Sequence, residues 1–188
     1  MTYQIDKTFE KIDYTSKPLE KGEYENCSFV NCDFSNSDLS AVTFADCTFF
    51  ACNLSMAKLI KTAFREVKFK ECKMLGLYFE NCNEFGLSFQ FDNCQLNHSS
   101  FYKTRLKNTK FKNTLLHEVD FSESDLTNSS FDDCDLMNAT FDNTILEKTD
   151  FRNAHHFIID PERNKIKKAK FSLQGTIGLL NKYNITIE

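Results

Sequence analysis

A large apolar residue returns at every fifth position through the middle of the chain. From Phe111 to Phe151 this position alternates between Phe and Leu, and the residue two places earlier is small or modest, as at Thr109, Ser124 and Ala139. A helix repeats near 3.6 residues and a strand near 2, so neither element alone produces this period. A fixed period sustained over many residues is typical of a solenoid built from repeated units.

The groups of five combine into a longer period of twenty residues. Phe recurs at this spacing at Phe91, Phe111, Phe131, Phe151 and Phe171, and the Leu positions between them follow the same rule. If every five residues form one side of a square coil, positions twenty apart stack and positions ten apart face each other. The pattern therefore predicts four sides per coil, with Phe opposite Phe and Leu opposite Leu.

The repeat resembles the pentapeptide repeat family, whose unit A(D/N)LXX has a central Leu or Phe and a small residue two places before it. The resemblance implies an all-β fold, a right-handed quadrilateral parallel β-helix. We expect this β-helix over residues 1–171, followed by a helix and tail over residues 172–188.

Three segments depart from the repeat. In residues 1–26 the small position holds Lys7, Ile12 and Lys17, which predicts a degenerate, partly solvated first coil. Residues 155–168 predict a loosened last coil. Within the first of these segments, we expect residues 1–7 to form an edge strand or to stay loose.

The third departure is an insertion. Phe79 and Phe91 are two residues further apart than two repeats allow, which predicts a bulge within residues 83–90 where Gly86 supplies an unusual backbone angle. The bulge is either purely structural or a loop that contacts a partner.

Eight cysteines and ten asparagines occupy fixed places in the repeat. Every Cys lies two places before a central position, so we expect small inward-facing side chains rather than metal ligands or disulfides. Asn recurs two places after the central residue, where a tight corner needs a positive φ that Asn tolerates. The asparagines are Asn31, Asn36, Asn81, Asn93, Asn108, Asn113, Asn128, Asn138, Asn143 and Asn153.

The C-terminal segment predicts a short helix over Leu173–Tyr183 with Ser172 as N-cap. Leu173, Ile177 and Leu180 share one face of it, and we expect them to cap the open end of the coil or to form a dimer interface. Asn184–Glu188 alternates β-branched residues and predicts a final strand.

No catalytic motif is present: there is no P-loop, GxGxxG, GxSxG or HExxH. We therefore expect no enzyme, no cofactor and no metal; the His155–His156 pair is either a metal ligand set or an ordinary surface loop. The N-terminus lacks the apolar core of a secretory signal and no run is long enough to span a membrane, which predicts a cytoplasmic protein.

Charge is unevenly distributed although the net formal charge is only −4. Between Asn113 and Asp150 ten carboxylates accompany one lysine, a net charge of −9. Four lysines flank Phe69 and Phe111, and the tail after Pro161 is basic. The acidic stretch is either a solvated surface or a partner-binding surface. The candidate partner-binding residues are Glu118, Asp120, Asp125, Asp132, Asp133 and Asp135.

The resemblance extends over nearly the whole chain to Qnr-type fluoroquinolone-resistance pentapeptide proteins, including the start Asp6–Tyr14 and the helix-ended tail. It implies a rod-shaped homodimer joined through the C-terminal helix. It also implies an acidic, DNA-like surface that engages DNA gyrase or topoisomerase IV, without direct nucleic-acid binding. The alternative is a general protein-interaction scaffold with another partner.

Overall fold

The computed structural model describes residues 2–186 and forms a four-sided parallel β-solenoid of about seven turns with one short C-terminal helix. Each turn takes twenty residues: Phe111 pairs with Phe91 in the coil before it and with Phe131 in the coil after it. The predicted fold class is confirmed. We call the sides first, second, third and fourth after Phe111, Leu116, Phe121 and Leu126.

Short strands define two of the sides. The first side is a seven-stranded sheet of β2 (Thr8–Glu10), β4 (Ser28–Val30), β6 (Thr48–Phe50), β8 (Val67–Lys70), β9 (Phe89–Asp92), β10 (Lys110–Lys112) and β11 (Ser130–Asp132). The fourth side is a four-stranded sheet of β1 (Thr2–Ile5), β3 (Gly22–Glu25), β5 (Thr43–Ala45) and β7 (Ala63–Arg65). The other two sides are held by isolated bridges such as Asp120 with Thr140.

The interior is filled by the central side chains of the repeat. The Phe111 ring stacks on Phe91 and Phe131 with centroids 5.2 and 4.8 Å apart. It meets Phe121 on the opposite side edge-on at 6.0 Å. Stacking along a column and edge-to-face contact across it are both favourable aromatic geometries. The prediction that Phe faces Phe is confirmed.

The corners place one residue per repeat in the left-handed region, two places after the central residue. Eight of the predicted asparagines have a positive φ there: Asn31, Asn36, Asn93, Asn108, Asn113, Asn128, Asn138 and Asn143. Asn81 instead lies in a 3-10 turn, Phe79–Asn81, and Asn153 is not left-handed. Other corners use residues that tolerate this region poorly, including Ala41 at φ 59°.

Replacing Ala41 with Gly should raise the free energy of unfolding by about 0.5–1 kcal/mol, because Gly adopts a positive φ without the steric cost that Ala carries. Ala45 in β5 is the matched control, since its backbone is extended and Gly there should be destabilising by about 0.5–1 kcal/mol. Urea denaturation of both variants measures the difference. Shifts of the same sign would contradict the assigned corner geometry.

The small position also supplies hydrogen bonds. All eight cysteines are free and buried, as predicted. The Cys52 thiol donates to the carbonyl of Phe29 at 3.3 Å, and the Thr62 hydroxyl donates in the same way to Leu39 at 2.8 Å. Burial raises the pKa of Cys47 to about 12, which keeps the reactive thiolate scarce. These small side chains thus fill the interior and also form hydrogen bonds that link neighbouring coils.

The insertion lies in the fourth side. Val67 pairs with Phe89, an offset two residues longer than that of Lys110 with Gln90. Gly86 has a φ of 70°. It stands on the fourth side where other coils have a central Phe or Leu, and it has no side chain to fill the interior. The buried Phe89 fills the vacated space instead, with its ring 5.4 Å from that of Phe79. The same insertion projects Phe85, which is 78% exposed.

The first coil is less well filled than the others. β1 pairs with β3 as an edge strand, and Phe9 and Ile12 are only partly buried at the open end. Within residues 2–186 no helix has the length and apolar character needed to cross a membrane.

Candidate partner-binding surface

The six predicted acidic residues are not on one face. Asp132 lies on the first side, Asp135 on the second, Asp120 on the third and Asp125 on the fourth, while Glu118 and Asp133 occupy corners, as the registers show. Residues that follow each other every five positions point in four different directions. We call the carboxylates between Asn113 and Asp150 the acidic belt, because they surround the coil.

Three of the six predicted acidic residues form hydrogen bonds that stabilise the turns at the corners of the coil. The Oδ1 atoms of Asp120, Asp125 and Asp135 each accept the backbone N–H two residues further on, at 2.8, 3.1 and 3.1 Å. Asn53 accepts the Ser55 N–H in the same way. This turn explains why the repeat favours Asp or Asn at that position. A structural role thus accompanies any binding role of these side chains.

Many belt carboxylates pair with a basic group in a neighbouring coil. Asp125 lies 3.1 Å from Lys107, and Glu118 lies 3.2 Å from His98. Asp135 contacts two histidines, His117 at 3.1 Å and His156 at 2.8 Å. Basic side chains about twenty residues away therefore contact several of these carboxylates, and the Lys107 ammonium offsets the charge of Asp125.

The same contacts shift carboxyl pKa values. Burial alone would raise the pKa of Asp125, but hydrogen bonds from Thr127 and the Lys107 ammonium bring it below its ordinary value. Burial also acts upward on the pKa of Asp135, and His156 and His117 outweigh it. Both carboxylates remain ionised at neutral pH, but the ion pairs limit their availability to a partner.

Asp132 and Asp133 are the most available pair in the belt. Neither forms an ion pair within residues 2–186; Asp132 accepts a hydrogen bond from the Asn153 amide at 2.8 Å, and Asp133 is exposed at a corner. They lie together where the first side meets the second. Of the six predicted residues, these two offer the strongest local negative charge.

The four lysines around Phe69 and Phe111 share the first side, as predicted. Lys68, Lys70, Lys110 and Lys112 line a shallow depression of about 190 Å³. Asp92 and Asp132 interrupt them along the same sheet. This central lysine group is consequently mixed in charge.

The C-terminal segment is helical from a 3-10 turn at Gln174–Thr176 through α1 (Ile177–Leu180) to a second 3-10 turn at Asn181–Tyr183. The predicted N-cap is confirmed, because the Ser172 hydroxyl accepts the Gly175 N–H at 3.0 Å. No strand forms over 184–186, contrary to prediction, because Asn184 turns the chain at a left-handed φ; residues 187 and 188 lie outside the described part.

The three predicted cap residues are not buried against the coil. Leu173 is 92% exposed, and Ile177 and Leu180 are also exposed. The segment instead rests on the coil through Leu179 and through Gly178, where a Cβ atom would come within 2.2 Å of the Phe157 carbonyl oxygen. The end-covering contacts are thus made by residues other than Leu173, Ile177 and Leu180.

The histidine pair is divided between two environments. His156 bonds to Asp135, while His155 continues the ladder through a bridge with that same residue. Within the described residues, no three His, Cys, Asp or Glu side chains converge with the geometry of a metal site.

Solved structures share this architecture at low sequence identity. A trypsin-treated variant of QnrB1, a plasmid-mediated fluoroquinolone resistance protein, matches with a TM-score of 0.63 and 16% identity over 99% of this chain and 97% of that one. A second trypsin-treated QnrB1 variant gives 0.57 and 16%, over 99% and 98%. HetL, a pentapeptide repeat protein involved in heterocyst differentiation regulation in Nostoc sp. strain PCC 7120, gives 0.48 and 13%, over 92% and 85%.

No curated protein sequence matches the chain. The family model described as a pentapeptide repeat region matches residues 23–90 and 87–155, which is more than half of the chain. The family's repeat coincides with the central residues and small positions that build the coil. This chain therefore belongs to the pentapeptide repeat family.

Proposed function

We propose that this protein is a non-enzymatic, DNA-mimicking modulator of DNA gyrase or topoisomerase IV that protects the enzyme from quinolones. The observation that carries the proposal is the acidic belt, a net charge of −9 over Asn113–Asp150 on a rigid rod. A cytoplasmic location belongs to the same proposal, because these enzymes act on chromosomal DNA.

Two features support this choice of partner. Carboxylates on all four sides of a rigid rod give it negative charge all round, which suits a positively charged DNA-binding channel. The fold is shared with QnrB1, which is described as a plasmid-mediated fluoroquinolone resistance protein. At 16% identity the fold alone is common to both, so the partner must be established by experiment.

A homodimer through the C-terminal helix is part of the proposal. Leu173, Ile177, Leu180 and Tyr183 expose a continuous apolar surface at the end of the rod, which a second copy would cover with two-fold symmetry. The two acidic belts would then flank the dimer centre at a distance of one to two coils.

Changing Leu173, Ile177 and Leu180 together to Ser should convert the dimer to a monomer without unfolding the coil, because the supporting contacts of Gly178 and Leu179 remain. Light scattering at several protein concentrations measures the mass. Changing the exposed Met56, Ile60 and Leu115, which lie outside the C-terminal end, to Ser is the matched control and should leave the dimer intact. A monomeric wild-type protein would contradict the proposed interface. A triple variant of Leu173, Ile177 and Leu180 that remains dimeric would contradict it too.

The proposed function is tested by DNA supercoiling with quinolone-inhibited gyrase. Added wild-type protein should restore supercoiling in a dose-dependent and salt-sensitive manner. Absence of rescue at every concentration would leave the scaffold alternative.

The projecting loop Glu84–Leu87 favours that second candidate. Phe85 is largely exposed, and its ring is held by the Arg65 guanidinium at 5.8 Å. An aromatic side chain that is exposed and positioned is suited to bind a pocket on a partner protein. Failure of gyrase rescue together with loss of partner binding by Phe85→Ala in cell extracts would point to the scaffold role.

A further inference from the structure

Five lysines cluster at the C-terminal end of the rod. Lys165 and Lys167 lie on the fourth side, Lys148 and Lys168 at its corner with the first side, and Lys170 on the first side. We call this group the terminal lysine patch. Four of its members belong to the basic tail after Pro161, and Lys148 is the one lysine of the acidic stretch; the proposed function uses none of them.

The patch is short of compensating charge. Lys170 approaches Asp150 at 3.7 Å, but that carboxylate is already bound by Arg152 at 2.7 Å. Lys148, Lys165, Lys167 and Lys168 form no ion pair within residues 2–186, although Glu147 is nearby in the chain. The four ammonium groups are therefore available to an anionic partner.

The corner residues show that the charge is unfavourable for the isolated coil. Lys148 and Lys168 occupy stacked left-handed corners, with φ of 59° and 60°, in the column where Asn108 and Asn128 precede them. Lysine tolerates this region less well than Asn, and like charges stacked on neighbouring strands repel. At another charged corner the stacked partner has the opposite sign, Lys103 and Glu123 at 3.4 Å, whereas Asp46 and Glu66 repeat the like-charge arrangement with acidic side chains.

The shape and chemistry of the patch indicate which class of partner it can bind. The lysines lie beside a depression of about 450 Å³ whose lining includes Lys148, Lys168 and Lys170 and a single carboxylate, Asp150. Lysine is a point charge suited to phosphate contacts without sequence reading. No exposed aromatic ring lines the depression to stack on unpaired bases.

We propose that the terminal lysine patch binds the phosphate backbone of duplex DNA. The resemblance to a DNA-mimicking family implied no direct nucleic-acid binding. In the structure Glu147 and Asp150 of the acidic belt border the patch, but its lysines on the fourth side and at the corner form no ion pair with them within residues 2–186. Binding through the patch requires neither a topoisomerase nor the dimer. The central lysine group is a poorer site, because Asp92 and Asp132 interrupt it.

The test is fluorescence anisotropy with a labelled 30-base-pair duplex, using the full chain. Four phosphate contacts predict that the logarithm of the association constant falls with the logarithm of salt with a slope of about −3.6, or about a hundredfold between 50 and 200 mM. Lys148→Asn, Lys168→Asn, Lys165→Gln and Lys167→Gln together should remove most binding and bring the slope near zero. The two Asn substitutions suit the corners, and circular dichroism checks that the variant is folded.

The matched control changes Lys68, Lys70, Lys110 and Lys112 to Gln, which alters net charge by the same amount and should retain wild-type affinity. No duplex binding by wild type at 50 mM salt would overturn the proposal. Equal losses in both variants would do so too, since they would indicate a net-charge effect. Displacement by poly-glutamate at equal charge concentration would assign the patch to acidic proteins instead.

Discussion

Phe121→Ala is expected to lower the free energy of unfolding by about 3–5 kcal/mol. The Phe121 ring is fully buried and stacks between Phe101 and Phe141 at 5.3 and 5.2 Å. It also meets Phe131 edge-on at 5.8 Å. The backbone ladder on each side fixes the width of the coil. The cavity therefore cannot collapse, and the loss in free energy of unfolding is not reduced by relaxation.

Ser122 provides the control, because its side chain points outward from the next position. Ser122→Ala should change the free energy of unfolding by less than about 0.5 kcal/mol. Urea denaturation with matched slopes measures both variants. Similar losses at the two positions would show that the register is wrong by at least one residue.

The coil could be predicted from sequence because its period determines which side chains point inward. Phe91, Phe111 and Phe131 recur at the turn length, so they define the column, the turn and the opposite column together. The sides of the coil to which the acidic side chains point were harder to predict from the sequence. A run of charge in sequence resembles a patch, but in a four-sided coil Asp120, Asp125 and their neighbours diverge, and some of them contact basic side chains of a neighbouring coil, as Asp125 contacts Lys107.

The insertion and the C-terminal segment show a second limit. A count of residues located the bulge. It could not show that Phe89, at a position where the repeat has a small residue, would fill the core. The apolar stripe of Leu173, Ile177 and Leu180 identified one face of the helix without showing which face docks. Gly178 was the overlooked signal, since only a residue without a Cβ fits so close to Phe157.

Asp132→Asn with Asp133→Asn is expected to weaken rescue of quinolone-inhibited gyrase by about tenfold. Each exposed charge contact is worth up to about 1 kcal/mol, and two are lost. Neither carboxylate forms an ion pair within residues 2–186, although Lys112 is the neighbour of Asp132 on the adjacent strand, so most of their charge is available to a partner. The variant should remain folded, because Asn is favoured at the left-handed corner of residue 133.

The double variant Asp125→Asn with Asp135→Asn is the matched control. It removes the same formal charge and keeps the corner hydrogen bonds, as Asn53 does in its own turn. Asp125 is already paired with Lys107, and Asp135 is in contact with His117 and His156, so both are less available to a partner and rescue should weaken less, by about threefold or below. A larger loss in the control than in the Asp132–Asp133 variant would contradict the assigned surface.

Competition for gyrase between this protein and DNA tests the DNA-mimic proposal most directly. A labelled duplex bound to gyrase is titrated with the folded variant that lacks the four terminal lysines, so that only gyrase holds the duplex. We predict that anisotropy falls to the value of free duplex and that the titration weakens with salt. Anisotropy that stays constant or rises at saturating protein would show joint binding and contradict the DNA-mimic mechanism.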